Sequence, residues 1–266
     1  MMTATVDTHT RTYPAPEQAR KMTNDILQIE NLTVSFDGFK AVNDLSLSIS
    51  RNELRVIIGP NGAGKTTLLD IICGKTKPSM GRVMFGGDDL TKLGEHQIVR
   101  RGVARKFQTP STYEDLSVFE NFEISIPRGR GVIGSLCFRR DKAVMERVTE
   151  IACEVFLQDA LHTKAGRLSH GQKQWLEIGM MLIQDPELLL LDEPVAGMSP
   201  KERESTAELL KRISLGKSLI VIEHDMDFVR SIAQKVMVMH QGALLCDGSI
   251  DEVHQNERVI EVYLGA

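Results

Sequence analysis

The sequence predicts an α/β fold, with a parallel-sheet core, an antiparallel β-rich lip ahead of it, and a helical lobe inserted between core strands. Three observations predict it. Short unbroken apolar runs at residues 53–59, 186–194 and 218–225 read as strands buried on both faces. Residues 26–36 and 45–49 alternate apolar and polar with period two, the mark of antiparallel strands with one buried face. Between about 94 and 181 the texture changes to longer amphipathic helical stretches.

Along the chain, the strand at 53–59 runs into a glycine-rich loop, and 66–74 reads as a helix closed by Gly74. Residues 81–87 add a short strand. Residues 96–103 form a short helix and 139–156 a long one, with charges on one side. Between those two, 127–140 is rich in glycine and arginine and reads as a surface loop, with a partner or lipid-headgroup contact as the alternative. After the insertion, strands and helices alternate, ending in a hairpin at 235–248 and a short terminal helix. The predicted organisation is a tail at 1–25, one domain at 26–250 with the helical insertion at 94–181, and a C-terminal helix and tail at 251–266. The first 21 residues are small, polar and interrupted by two prolines, and Met22 is a candidate start.

Composition narrows the functional classes. A net charge of −4 lacks the basic excess of a general nucleic-acid binder. No stretch approaches the roughly 18–20 unbroken apolar residues of a membrane helix, and the N-terminus lacks a secretory apolar run. The expectation is a protein that works in the cytoplasm. Four cysteines, Cys73, Cys137, Cys153 and Cys246, are scattered without partners at ligand spacing, so they read as reduced thiols filling apolar space.

The glycine-rich loop carries chemistry. Gly59, Pro60, Asn61, Gly62, Ala63, Gly64, Lys65 and Thr66 fit the G-x-x-x-x-G-K-[ST] pattern, after a buried strand and at a helix start. Glycines let backbone N–H groups converge on phosphates, and the helix N-terminus adds its partial positive charge. Lys65 supplies an ammonium to the β- and γ-phosphates, and the Thr66 hydroxyl is a ligand for Mg²⁺. Asp192, ending the apolar run at 188–191, is placed to hold that metal through water. Glu193 follows and is the candidate for orienting or deprotonating an attacking water. Alone, an apolar run ending in Asp-Glu is common in strands; paired with the cradle it completes a nucleotide site.

These residues resemble the ATPase subunits of ABC transporters from about residue 26 to the C-terminus. Leu168-Ser169-His170-Gly171-Gln172 resembles that family's signature, and Gln108 its glutamine at the joint between core and helical lobe. His224 matches the switch histidine at the γ-phosphate, and Phe36 the ring that stacks on adenine. The resemblance implies a P-loop NTPase (RecA-like) core with an antiparallel β-subdomain and an inserted α-helical subdomain. It also implies ATP and Mg²⁺ as cofactors. Glu193, His224 and Gln108 are the implied catalytic residues, and Thr66, Gln108 and Asp192 the metal site. Phe36, the 59–66 loop, Thr67, Ser169, Gly171 and Gln172 bind nucleotide. Ser169 and the following helix start would face the γ-phosphate of ATP on an opposite subunit. Two residues depart from the family pattern: His170 replaces a glycine, placing a titratable ring near that phosphate, and Ser199 replaces an aspartate.

At a finer level the chain resembles importers of branched-chain amino acids and amides, and within them the urea-import subunits. This implies two membrane permeases, a second, different ATPase subunit (with a pair of identical chains as the alternative) and an extracytoplasmic substrate-binding protein, with the chain at the cytoplasmic face of the bacterial inner membrane. The segment 109–114 would line the groove for a permease helix. The rival readings are the ATPase of a lipopolysaccharide-exporting machine, a non-transport ABC ATPase, and a P-loop nucleotide kinase; the signature and His224 speak against the last.

Overall fold

Period-two alternation carries β1 (Asp25–Phe36) and β2 (Phe39–Ser50) into an antiparallel hairpin that buries Leu27, Ile29, Val34, Leu45, Leu47 and Ile49. The computed structural model describes residues 24–106, 112–127 and 142–264. Asp37 and Gly38, both at positive φ, make the two-residue turn that the strands' twist favours. Strands β4 (Met80–Phe85) and β5 (Asp88–Asp89) extend this sheet in the order β2-β1-β4-β5.

The second sheet has six strands. Strands β3 (Leu54–Ile58), β6 (Val103–Arg105), β7 (Leu188–Asp192) and β8 (Ser218–Ile222) join the hairpin of β9 (Lys235–His240) and β10 (Ala243–Gly248). The order is β10-β9-β3-β8-β7-β6, parallel except for the hairpin pair. Every residue of β3, β7 and β8 is buried, which is why these strands read as unbroken apolar runs. Successive residues face opposite cores. Ile57, Leu188, Leu190, Ile220 and Ile222 pack with the first sheet and with α1 (Lys65–Ile72). Val56, Leu189, Leu191, Leu219 and Val221 pack on the side of the helices.

Those helices are α3 (Val118–Ser125), α4 (Lys142–Glu154), α5 (His170–Leu182), α6 (Pro200–Ser214) and α7 (Met226–Ile232). Helix α2 (Glu95–Arg100) precedes β6, and α8 (Ile250–Gln255) and α9 (Glu257–Leu264) follow β10. Strand β6 lies inside the stretch that reads as helical insertion, yet it pairs with β7 at the sheet edge. Three residues are too few for a period to show. The glycine- and arginine-rich stretch at 127–140 lies almost wholly outside the described residues, as does Cys137. Of the other cysteines only Cys73 is buried; Cys153 is exposed, because it falls on the outer face of α4, and fills no apolar space.

Arg55 is fully buried in β3 and pairs with Glu53 at 2.6 Å and with Asp247 on β10. This pairing ties the terminal hairpin across β9 to the central strand. The parallel register then does the functional work: Ile57 and Asp192 both lie level with Ile222. Strands β3, β7 and β8 therefore deliver the residues after their C-terminal ends to one edge of the sheet, where α/β sheets bind ligands.

Candidate nucleotide site

The loop after β3 wraps into the start of α1. Helix α1 begins after Gly64 with no side-chain cap and no acidic residue in its first turn. Its leading N–H groups are thus free for an anion, and the helix dipole adds to the attraction. The Lys65 ammonium folds back over its own loop, donating to the carbonyls of Gly59 at 2.7 Å and Pro60 at 3.0 Å. Burial pushes its pKa down, against the opposing pull of Asp192 and then Glu193. This sign gives a test. A bound triphosphate favours the ammonium, so nucleotide binding at about pH 9 should take up a proton, and affinity should fall at a lower pH than an ordinary lysine would dictate. Calorimetry in buffers of different ionisation heat reads the uptake, and a zero count there would contradict it.

At the end of β7, Asp192 is buried and accepts a hydrogen bond from the Thr66 hydroxyl at 3.3 Å. Burial raises the pKa of this carboxyl, with Arg105 and the Thr66 bond acting against the rise. A hydroxyl and a carboxylate side by side are hard oxygen donors suited to Mg²⁺, which takes one or two protein ligands and completes its shell with phosphates and water. Among the described residues no group of three or more His, Cys, Asp or Glu is placed to hold a metal ion. Thr66 and Asp192 fit the ion, and would hold it beside the Lys65 cradle.

Glu193 has φ 47, a strained conformation for a glutamate. Its N–H is tied to the Ile222 carbonyl at 3.0 Å. Its carboxylate lies 3.5 Å from Nδ1 of His224, and both side chains are open to solvent. Glu223, which the sequence reading passed over, is buried at the end of β8. It accepts from the N–H of His224 at 3.1 Å and of Val195 at 3.4 Å, which locks the end of β8 to the turn after β7. Burial raises its pKa against those bonds. The signal available in the sequence was a carboxylate closing an otherwise apolar strand.

Comparison with known proteins gives the family. The ABC transporter family matches residues 42–196, more than half of the chain. The chain belongs to the ABC transporter ATPase family. The high-affinity branched-chain amino acid transport ATP-binding protein BraF of Pseudomonas aeruginosa is 34% identical over 253 residues, covering 92% of this chain and 99% of that protein. The ADP-bound form of an ATP-binding cassette of an ABC transporter superposes with a TM-score of 0.81 at 32% identity, over 92% of this chain and 100% of that one. A dimeric cassette in a post-hydrolysis state with ADP and Pi gives 0.72 at 25% identity, over 84% and 98%. The fold is thus that of an ABC ATPase, and the chain is homologous to ATP-hydrolysing transporter subunits. Among the described residues of this ABC ATPase, no helix is long and apolar enough to cross a membrane.

The remaining predicted residues divide into two groups. Phe36 is half exposed at the tip of the β1–β2 hairpin, paired in register with Phe39. That tip is next to Ala41, whose carbonyl abuts Gly64 of the cradle. Ser169, Gly171 and Gln172 stand elsewhere, at the start of α5. Ser169 caps that helix, accepting from the Gln172 N–H at 3.1 Å, and its backbone N–H donates to the Gln172 side chain at 3.0 Å. None of its hydrogen bonds reaches the cradle. Within its own chain the His170 ring donates from Nε2 to the Ala196 carbonyl at 3.0 Å. A carbonyl within reach satisfies the ring more readily than solvent does. Gln108 lies outside the described residues.

Proposed function

We propose that this ABC ATPase powers a bacterial importer for urea or a related amide or branched-chain amino acid. ATP is gripped between its cradle and the signature of a second ATPase subunit. The observation that carries the reading is the separation of the two anion-binding elements. Residues 59–67 form a cradle with an uncapped helix, whereas the Ser169 hydroxyl accepts from the Gln172 N–H and donates to Glu202. No hydrogen bond of the Ser169 side chain reaches the cradle of its own chain, which leaves the signature to serve a facing subunit. The related cassette described as a dimer supports pairing of two such subunits.

In this reading Phe36 stacks on the adenine and the 59–67 segment holds the phosphates. Thr66 and Asp192 hold Mg²⁺, which neutralises charge on the β- and γ-phosphates, with Gln108 as a further ligand at the lobe joint. Glu193 orients or deprotonates the water, and His224 contacts the γ-phosphate. Closing the pair around ATP supplies the stroke, because a ligand shifts a conformational equilibrium only by its differential affinity for the two states. The stroke passes to two permeases through Gln108 and the segment 109–114. A second ATPase and an extracytoplasmic binding protein complete the machine at the cytoplasmic face of the inner membrane.

BraF, matched over nearly its full length, supports an importer, and the lipopolysaccharide-export reading draws no comparable support. Urea, and the subunit type called UrtD, rest on the resemblance of segments 36–41, 53–70, 168–180 and 192–199. Deleting the gene and following uptake of labelled urea and labelled leucine tests the substrate: urea uptake is expected to fall and leucine uptake to persist. The reverse pattern would replace urea by amino acids. Because each site is shared, the specific ATPase activity of the purified chain is expected to rise with its concentration; a flat dependence at measurable activity would count against sharing.

A further inference from the structure

A carboxylate that the proposed mechanism does not use lies against the signature. Glu202 is in the first turn of α6, and its two oxygens have different employment. Oε2 closes the helix's capping box, accepting from the Ser199 N–H at 2.9 Å and the Ser199 hydroxyl at 2.7 Å. Oε1 is not needed for the cap. It accepts the Ser169 hydroxyl at 3.2 Å, from a residue 33 positions upstream.

The approach is built into the backbone of α5. A Cβ on Gly171 would stand well inside contact distance of the Glu202 carboxylate, so the bare glycine leaves the carboxylate room over the helix start. The Ser199 bonds come first, with smaller help from Ser169 and the nearby His170, in holding the Glu202 carboxyl below its ordinary pKa. A second strut, from His170 to the Ala196 carbonyl, fastens the same helix start to the turn that follows Glu193.

We propose that Glu202 is a positioning residue that occupies the signature's anion site in the resting subunit and must release Ser169 before the facing subunit's ATP is gripped. The inference rests on the shared-site reading. A serine hydroxyl has one proton to donate, so it serves either the carboxylate or a phosphate oxygen. Two anions over one helix start also repel, most strongly when the closing interface excludes water. Release leaves Glu202 to the Ser199 cap alone, so ATP arriving at the signature is felt at the start of α6. That helix follows the turn leading from Glu193, and the carboxylate thereby links the signature of one site to the water-activating end of the other.

The test uses the full chain with hydrolysis blocked by Glu193→Gln, and light scattering to follow pairing as ATP is raised. Adding E202Q keeps an acceptor for the Ser199 cap and removes the charge. The ATP concentration at half-pairing is expected to fall about tenfold, the effect of one modest charge-assisted contact. Glu202→Asp, one methylene shorter, loses its reach to Ser169 and is expected to shift the midpoint the same way. ADP affinity, read by calorimetry, should stay constant, since ADP occupies only the cradle. An unchanged or raised midpoint in both variants would overturn the proposal. So would an equal fall in Ser199→Ala, which strips the cap and leaves the Ser169 contact. Absence of pairing in every chain at any ATP concentration, both alone and with the second ATPase subunit added, would overturn the shared-site reading and the latch together.

Discussion

Glu193→Gln is expected to leave ATP binding intact and to lower turnover by about 10²–10⁴-fold, the usual contribution of a positioned general base. The reason is visible in how the side chain is held. Its backbone is fixed in a left-handed conformation by the bond to the Ile222 carbonyl, so the carboxylate leaves the sheet edge just after Asp192. It is open to solvent and lies 3.5 Å from His224, so a water can reach it. An amide of the same shape keeps the packing and cannot take the proton. Bound ATP then persists, and pairs should accumulate that elute as dimers only when ATP is present. Rapid-quench measurement of Pi release checks the rate, and size exclusion with ATP checks the trapping. Wild-type turnover in the variant would move the base elsewhere.

Removal of the Lys65 ammonium acts at a different step. Lys65 reaches its loop carbonyls from within the cradle, so its loss weakens nucleotide binding before chemistry begins. The two residues can thus be told apart by whether affinity or turnover falls.

The sequence displayed the parts of this site that are contiguous. The cradle, the Asp192-Glu193 pair and His224 each follow a fully buried strand, and such strands show as apolar runs because both faces are covered. The parallel sheet follows from those runs and the helices between them. What stayed hidden depends on contacts between distant residues. Glu223 binds the Val195 N–H 28 positions away, and Glu202 reaches Ser169 across 33. Nothing local distinguishes them: Glu202 reads as an ordinary charge in the first turn of a solvent-facing helix, which is half of its role. The direction of the His170 ring was equally illegible, since it is set by a carbonyl on another loop. Strand β6 escaped notice because its identity comes from pairing with β7, not from its own three residues.

Gly64→Ala is expected to cost far more than Gly62→Ala, although both glycines belong to the same cradle and both have positive φ. At Gly62, φ is 79 and a Cβ would meet open space, so the substitution adds only left-handed strain of about 1–2 kcal/mol. At Gly64, φ is 95 and the added carbon would be driven into the Ala41 carbonyl of β2, with the Gly242 backbone 3.4 Å away on another side. Neither neighbour can yield. Gly242 donates its N–H to the Ala63 carbonyl at 3.1 Å and accepts from the Asn43 N–H at 2.8 Å, so β2, the phosphate loop and the β9–β10 turn are locked together. Left-handed strain and overpacking together should reach about 3 kcal/mol, which for a chain of this size lowers the melting temperature by roughly 6–12 °C. The same collision displaces the residue that opens α1, so the N–H groups meant for phosphate are re-aimed and nucleotide affinity should fall by more than about tenfold. Thermal melts and nucleotide titrations of the two variants side by side check this. Equal melting temperatures would mean that the loop is held by its own turn and not by the wedge between β2 and Gly242.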